Sequence, residues 1–215
     1  MSARVTVVLA TRNAGKVAEL RALLSDIRID LVGLADLLPD APPIREEGET
    51  LDENAACKAR EACRKTRLIA LADDSGLEVD ALGGRPGVRS ARFAHEHATD
   101  AENNTALLRA LEGVDEGARA ARFRCVLALS SPWADEIQLV EGRLAGEIAR
   151  APRGSGGFGY DPLFIVEGSS GRALAELTPS EKNAVSHRAR AARALRPFLL
   201  ALLEQQREEL ERIAG

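Results

Sequence analysis

The opening of this chain restricts its fold more than any other segment. Val5–Ala10, a largely apolar run of strand length, passes through the polar turn Thr11–Lys16 into the amphipathic stretch Lys16–Leu24. The first run reads as a buried strand and the last as a helix. A strand that feeds a helix directly is the start of an α/β arrangement. A further apolar run, Leu68–Ala72, reads as a strand that ends on Asp73-Asp74-Ser75-Gly76, with Leu77–Leu82 extending it as a second strand. Between them, Asp40–Pro43 is a turn and Ile44–Thr50 is acidic and irregular. Leu51–Thr66 has helical periodicity, with Thr50 or Asp52 as its cap.

The remainder is richer in strands. Gly83–Gly87 is a turn cluster, and Asp100–Leu111 is a helix starting from Thr99 or Asp100. Arg122–Ser130 reads as a strand, and Ile137–Ala149 as a hairpin turning near Glu141-Gly142. Arg150–Gly159 is a Gly/Pro loop, and Leu163–Val166 a strand. Ser180 is placed to cap a final helical region that Pro197 should kink or divide. This order predicts an α/β fold with a mixed sheet. With no repeat, low-complexity tract or linker, residues 1–215 are expected to form a single domain.

Composition narrows the function. The hydrophobic fraction of 45% supplies a core, and a net charge of −4 argues against a nucleic-acid binder, which would carry a basic face. Aromatic residues make up only 3%, too few for a base-stacking platform along a strand. Cys57, Cys63 and Cys125 fit no zinc spacing and are expected to be buried free thiols. Val5–Ala10 is too short for a signal peptide or a membrane span, so a cytoplasmic protein with no membrane partner is expected. Only four of the 29 basic residues are lysines. Of these, Lys16 and Lys182 fall in motif-like stretches, whereas Lys58 and Lys65 read as ordinary helix surface.

Four stretches carry chemistry. At the first turn, a helix start aims backbone N–H groups at an anion; Asn13 adds an amide and Lys16 a point charge. The alternative is a capped helix with an exposed lysine. In "LIALADDSGLEVDALGG", adjacent carboxylates ending a hydrophobic strand are costly unless paired or bound to a cation. Oxygen donors there suit Mg²⁺ beside phosphates, with the upstream "REEGET" as a source of another carboxylate; the alternatives are a solvated turn and a solvated loop. In "RGSGGFGYDPLF", glycines surround Phe158, Tyr160 and Asp161, so an aromatic could stack on a base and Asp161 could accept from a ligand N–H. The alternative is a mobile surface loop. In "TPSEKNAVSHRARAARAL", Lys182 does not share one face of a continuous helix with His187 and Arg188. They converge only if a helix starts between them or Lys182 arrives from a loop; otherwise they are solvated basic groups.

Taken together, "ATRNAGK", "EEGETLDENAACKA", "ADDSGLEVDALGGRPGVRSAR", "ARFRCVLAL", "GGFGYDPLF" and "ELTPSEKNAVSHR" resemble the non-canonical purine nucleoside triphosphate pyrophosphatases, the inosine triphosphate pyrophosphatase family. The stretches follow the family's order and cover nearly the whole chain. The resemblance implies an α/β fold with an elongated mixed central sheet flanked by helices, and two lobes with the active site in the cleft between them. It implies a homodimer that hydrolyses ITP, dITP and XTP to the monophosphate and pyrophosphate with Mg²⁺. By the same resemblance, Thr11, Arg12, Asn13, Ala14, Gly15 and Lys16 hold the triphosphate, and Lys16 stabilises the reacting phosphates. Asp74 is the proton acceptor and a metal ligand, with Asp73 and Glu46 as further carboxylates at the metal. Ser75, Phe158, Gly159, Tyr160, Asp161, Lys182, His187 and Arg188 are substrate contacts, the later ones at the base.

The residue chemistry agrees. Inosine and xanthine carry a 6-keto oxygen where adenine has an amino group, so donors such as His187 and Arg188 favour them. Arg12, Arg89 and His95 depart from the residues common in the family, which touches fine specificity rather than activity. The sequence is compatible with two rival readings. One is a non-catalytic nucleotide sensor, against which Asp73 and Asp74 speak. The other is a related pyrophosphatase acting on modified pyrimidine or standard triphosphates.

Overall fold

The computed structural model describes residues 4–214. Strand β1 (Val5–Leu9) leads into helix α1 (Ala14–Leu23), followed by β2 (Ile29–Gly33) and the single turn α2 (Leu34–Leu37). Helix α3 (Leu51–Thr66) precedes β3 (Ile69–Val79), and α4 (Asp100–Ala110) precedes β4 (Ala120–Ser131), β5 (Ala134–Ile148) and β6 (Phe164–Val166). The chain ends in α5 (Pro179–Val185) and α6 (His187–Ala214). The six strands form one sheet in the order β2-β1-β3-β4-β5-β6. β1 runs parallel to β2, with Val5 opposite Ile29, and parallel to β3, with Val7 opposite Ile69. β5 and β6 are antiparallel, with Ile148 opposite Phe164. The sheet is therefore mixed, and the α/β class is as expected.

Local signals account for most element ends. Asn13 caps α1, its Oδ1 accepting from the Lys16 N–H at 3.0 Å. The helix thus begins two residues earlier than expected, inside the polar turn. Thr50 and Glu53 form a capping box on α3, and Thr99 and Glu102 form another on α4.

The chain divides into two compact units. One gathers the chain up to Asp74, Val126–Glu141 and the chain from Ala191 onward. Val7, Leu9, Leu20, Leu71 and Leu127 are fully or nearly fully buried there. The inward face of α3 is built on Leu51, Ala55, Ala59 and Ala62, spaced as one helical stripe. The other unit comprises Ser75–Cys125 and Gly142–Arg190. Its core includes Leu77, Leu107, Phe123, Leu144, Tyr160 and Phe164, with the Phe123 and Phe164 rings 4.6 Å apart.

Several expectations are corrected. The strand expected to end at Asp73-Asp74-Ser75-Gly76 runs through it unbroken as β3, and both aspartates are buried, which excludes the alternative of a solvated turn. The carboxylates have lysine partners, so the strand need not end there. Gly76 is required for close approach, since a Cβ would lie 2.4 Å from the Gly87 carbonyl. No hairpin turns at Glu141-Gly142. β5 is continuous there, and the turn is Pro132-Trp133, between β4 and β5. A glycine within a strand was read as a stop where it only omits a side chain. The cap of the last helical region is Thr178, not Ser180, with Glu181 closing the box. Pro197 does not divide α6; the break falls earlier, at Ser186, in extended conformation. Cys57 is exposed rather than buried, while Cys63 and Cys125 are buried, and none of the three is in a disulfide.

Candidate active site

One cluster of candidate site residues lies in the first unit. The start of α1 leaves first-turn amides without intrahelical partners. Lys16, in that turn, reaches the buried Asp73, its Nζ 2.5 Å from Oδ1. Asp73 and Asp74 follow one another in β3, so their side chains leave opposite faces of the sheet. Asp74 meets a different ammonium, that of Lys58 on α3.

Lys58, expected on the surface of α3, is instead buried, only 6% exposed. Its Nζ contacts Asp74 Oδ1 at 2.5 Å and Glu46 Oε1 at 2.9 Å, and donates to the Asp73 carbonyl at 2.8 Å. Three N–H donors thus meet three oxygens. Burial acts most strongly on the Lys58 ammonium and lowers its pKa, but the charges of Asp74 and Glu46 outweigh it and hold the value above the ordinary lysine range. Burial likewise dominates at Asp74, raising its carboxyl above the usual range against the pull of Lys58 and Lys16. A carboxylate raised in this way is a better proton acceptor near neutral pH.

The loop that carries Glu46 is tied to the start of α3. Asn54 Oδ1 accepts from the Gly48 N–H at 2.8 Å, and Glu53 Oε2 from Glu49 at 2.7 Å. The site therefore gathers Glu46, Asp73 and Asp74 around Lys16 and Lys58. Arg12 turns elsewhere, donating to the Ala41 carbonyl at 2.6 Å.

Among the described residues no three His, Cys, Asp or Glu side chains are grouped to hold an ion by themselves. Glu46 and Asp74, however, converge on one ammonium, and both are hard oxygen donors. Mg²⁺ ordinarily takes one or two carboxylates and completes its shell with phosphate oxygens and water. The residues present fit such an ion. The carboxylate of Asp73 is engaged by Lys16 instead.

A separate cluster lies in the second unit. The condition set by the sequence is met: Ser186 breaks the helix between Lys182 on α5 and His187-Arg188 at the start of α6. Ser186 Oγ accepts from the Ala189 N–H at 3.1 Å and so caps α6. Lys182 Nζ lies 2.5 Å from Asp161 Oδ2, and both are buried. The same oxygen accepts from the Phe158 N–H at 3.0 Å. Gly157 makes this possible, because a Cβ there would fall 2.0 Å from Asp161 Oδ2. Lys182 Nζ sits 4.7 Å from the Phe158 ring centroid, and the Arg188 guanidinium carbon 5.7 Å. Arg188 is 1% exposed and donates to Ser75 Oγ at 3.2 Å. His187 stacks on Phe123, with centroids 4.7 Å and planes 11° apart. Tyr160 is buried, its hydroxyl donating to the Ser90 carbonyl at 2.9 Å. The glycine-rich stretch is thus ordered at Phe158–Asp161, with basic side chains gathered against one aromatic ring.

The sequence pattern that defines the Ham1 family matches residues 7–198. This chain belongs to the Ham1 family. A protein named dITP/XTP pyrophosphatase from Geobacillus kaustophilus is 49% identical over 204 residues, 95% of each chain. One of the same name from Escherichia coli O157:H7 is 51% identical over 88% of this chain and 95% of its own. Among solved structures, a HAM1 protein from Coxiella burnetii superposes with a TM-score of 0.81. It is 46% identical and covers 92% of this chain and 99% of its own. A nucleoside-triphosphatase, dITP/XTP pyrophosphatase, from Mycobacterium abscessus gives 0.71 at 46% identity, with coverages of 88% and 98%.

Every site residue named from the sequence falls within the Ham1-matched span. So does Lys58, which sequence reasoning passed over. Its signal was present: Lys58 shares the α3 stripe with Leu51, Ala55 and Ala62, and a lysine among buried alanines needs an acidic partner.

Proposed function

We propose that this chain hydrolyses ITP, dITP and XTP to the nucleoside monophosphate and pyrophosphate, with residues 1–215 acting as one catalytic domain. One observation carries the mechanism: Asp74 is buried, raised in pKa, and held in place by Lys58 beside Glu46. The names of the Ham1 relatives support the substrate class.

In this reading the first turn of α1 and Lys16 bind the triphosphate through amides and a point charge. A water oxygen bonds to a phosphorus of the α–β bridge, and the bridging P–O bond breaks. One proton of that water passes to the Asp74 carboxylate, and the monophosphate and pyrophosphate leave. Lys58 keeps Asp74 oriented, and Lys16 steadies charge on the phosphates. Glu46 and Asp74 would hold Mg²⁺, which when bound neutralises phosphate charge and lowers the pKa of coordinated water. Phe158 stacks on the purine while Arg188, His187 and Lys182 supply donors to its keto edge.

The resemblance adds a homodimeric, cytoplasmic enzyme to this proposal. Among the described residues no helix is long and apolar enough to cross a membrane.

A panel of ITP, dITP, XTP, GTP, ATP and pyrimidine triphosphates, with phosphate and pyrophosphate detected separately, tests the reading. Pyrophosphate release from the first three in the presence of Mg²⁺ is expected. Release of orthophosphate alone, or tight binding without turnover, would overturn it; the second result is that of a sensor.

A further inference from the structure

Helix α4 places two polar side chains on either side of a single residue of the base-site wall. Asp100 Oδ2 accepts from the Gly159 N–H at 2.7 Å, and Asn104 Nδ2 donates to the Gly159 carbonyl at 3.0 Å. Residues four apart on a helix share a face, so one turn of α4 grips both polar groups of Gly159. The neighbouring residues are fixed by other bonds. Tyr160 is anchored through its hydroxyl to Ser90, and the Phe158 N–H is held by Asp161. The backbone that presents the Phe158 ring is therefore secured on both sides, and α4 supplies the middle point.

Asn104 carries a further indication. Its Oδ1 is enclosed and has no hydrogen-bond partner among the described residues. A buried amide oxygen without a partner lowers stability. An apolar side chain would suit the helix better, so what the amide contributes is the bond from its nitrogen to Gly159.

From this geometry we propose that Asp100 and Asn104 are positioning residues for the nucleobase. By holding Gly159 they fix the plane in which the Phe158 ring meets the purine, and they set purine affinity without touching the substrate. The proposal rests on the reading that Phe158 stacks on the base. It predicts an effect shared by all purine triphosphates, because stacking does not distinguish edge substituents.

The test is steady-state kinetics of the full chain on ITP and XTP, with melting temperatures. The variants are Asn104→Ala, Asp100→Ala, Asp100→Asn and Phe158→Ala, plus each alanine clamp variant combined with Phe158→Ala. Each single clamp variant should raise KM by about three- to tenfold, the equivalent of one net hydrogen bond, with kcat nearly unchanged. Asn104→Ala should melt no lower than the parent, because alanine is the better helix former and the orphaned oxygen is gone. Asp100→Asn, whose amide oxygen can still accept from Gly159, should restore most of the affinity. In the Phe158→Ala background the clamp substitutions should change KM by less than about twofold, since coupled residues are not additive. An unchanged KM for folded Asn104→Ala, while Phe158→Ala raises it, overturns the clamp and leaves the stacking reading standing. Full additivity with Phe158→Ala also overturns the clamp. An unchanged KM for Phe158→Ala on every purine removes the stacking reading, and the proposal with it.

Discussion

Replacing Lys58 by Met tests the assembly of the Lys58 cluster most directly. The substitution keeps the buried apolar stem and deletes the ammonium that bonds Asp74, Glu46 and the Asp73 carbonyl. Asp74, with its side chain 8% exposed, then loses its nearest counter-charge. Removing one partner of a buried pair costs about 3–5 kcal/mol. Glu46 is about one-third exposed and can turn to water, so its share is small. The lower end, about 3 kcal/mol, is therefore expected. For a chain of this size that lowers Tm by about 6–12 °C. Thermal melts in metal-free buffer of the parent, Lys58→Met, Asp74→Asn and the double variant measure it. If the cost is an uncompensated charge, adding Asp74→Asn to Lys58→Met should recover part of the lost stability. A Lys58→Met protein melting within about 2 °C of the parent would refute the reasoning. A loss that Asp74→Asn leaves unchanged would assign the effect to packing instead.

Three more outcomes follow from the same geometry. Asp74→Asn should lower kcat by about 10²–10⁴-fold with little change in nucleotide affinity, the signature of a lost proton acceptor; unchanged turnover would reassign that role. Arg188→Ala should depress kcat/KM for ITP by about 10- to 150-fold, the equivalent of a hydrogen bond to a charged group, and ATP far less; equal losses would move Arg188 from the base to the phosphates. Tyr160 is the only tyrosine, and burial first, then the charge of Asp100, push its hydroxyl well above the ordinary value. Because the folded-state pKa is the higher one, its contribution to stability is complete below about pH 10 and declines as pH rises beyond that. Alkaline absorbance titration should show no phenolate until the chain unfolds, and a transition near pH 10 in folded protein would contradict the burial.

Much of this was legible in the sequence, and the failures have physical causes. The β1–turn–α1 opening could be read because a buried strand and a capped helix each have a local signature. Thr50 and Thr99 were among the caps named, since each is followed three residues later by Glu. The same signature in Thr178-Pro179-Ser180-Glu181 outranks Ser180, and Pro179 at the first helical position reinforces it. β2 was missed because it is short and offers only Ile29, Leu31 and Gly33 to the buried side, with charged Asp30 between. The pairing of Glu46 with Asp74 through Lys58 was invisible for another reason. It joins a loop, a helix and a strand, and no local pattern encodes their meeting.

The use of basic residues ties these observations together. In a chain that prefers arginine, three of the four lysines, Lys16, Lys58 and Lys182, each lie 2.5 Å from a carboxylate buried in the candidate site. The fourth, Lys65, makes a 3.5 Å pair with Glu61 along the outside of α3. An ammonium is a compact point charge whose donors spread tetrahedrally, so it can serve oxygens arriving from different elements, as Lys58 does. A guanidinium is a planar fork and cannot close around such a point. Arg188, buried against the Phe158 ring and bonded to Ser75, uses that flat shape. The choice between the two cations thus follows the geometry of what each must hold: converging carboxylate and carbonyl oxygens for Lys58, and an aromatic surface for Arg188.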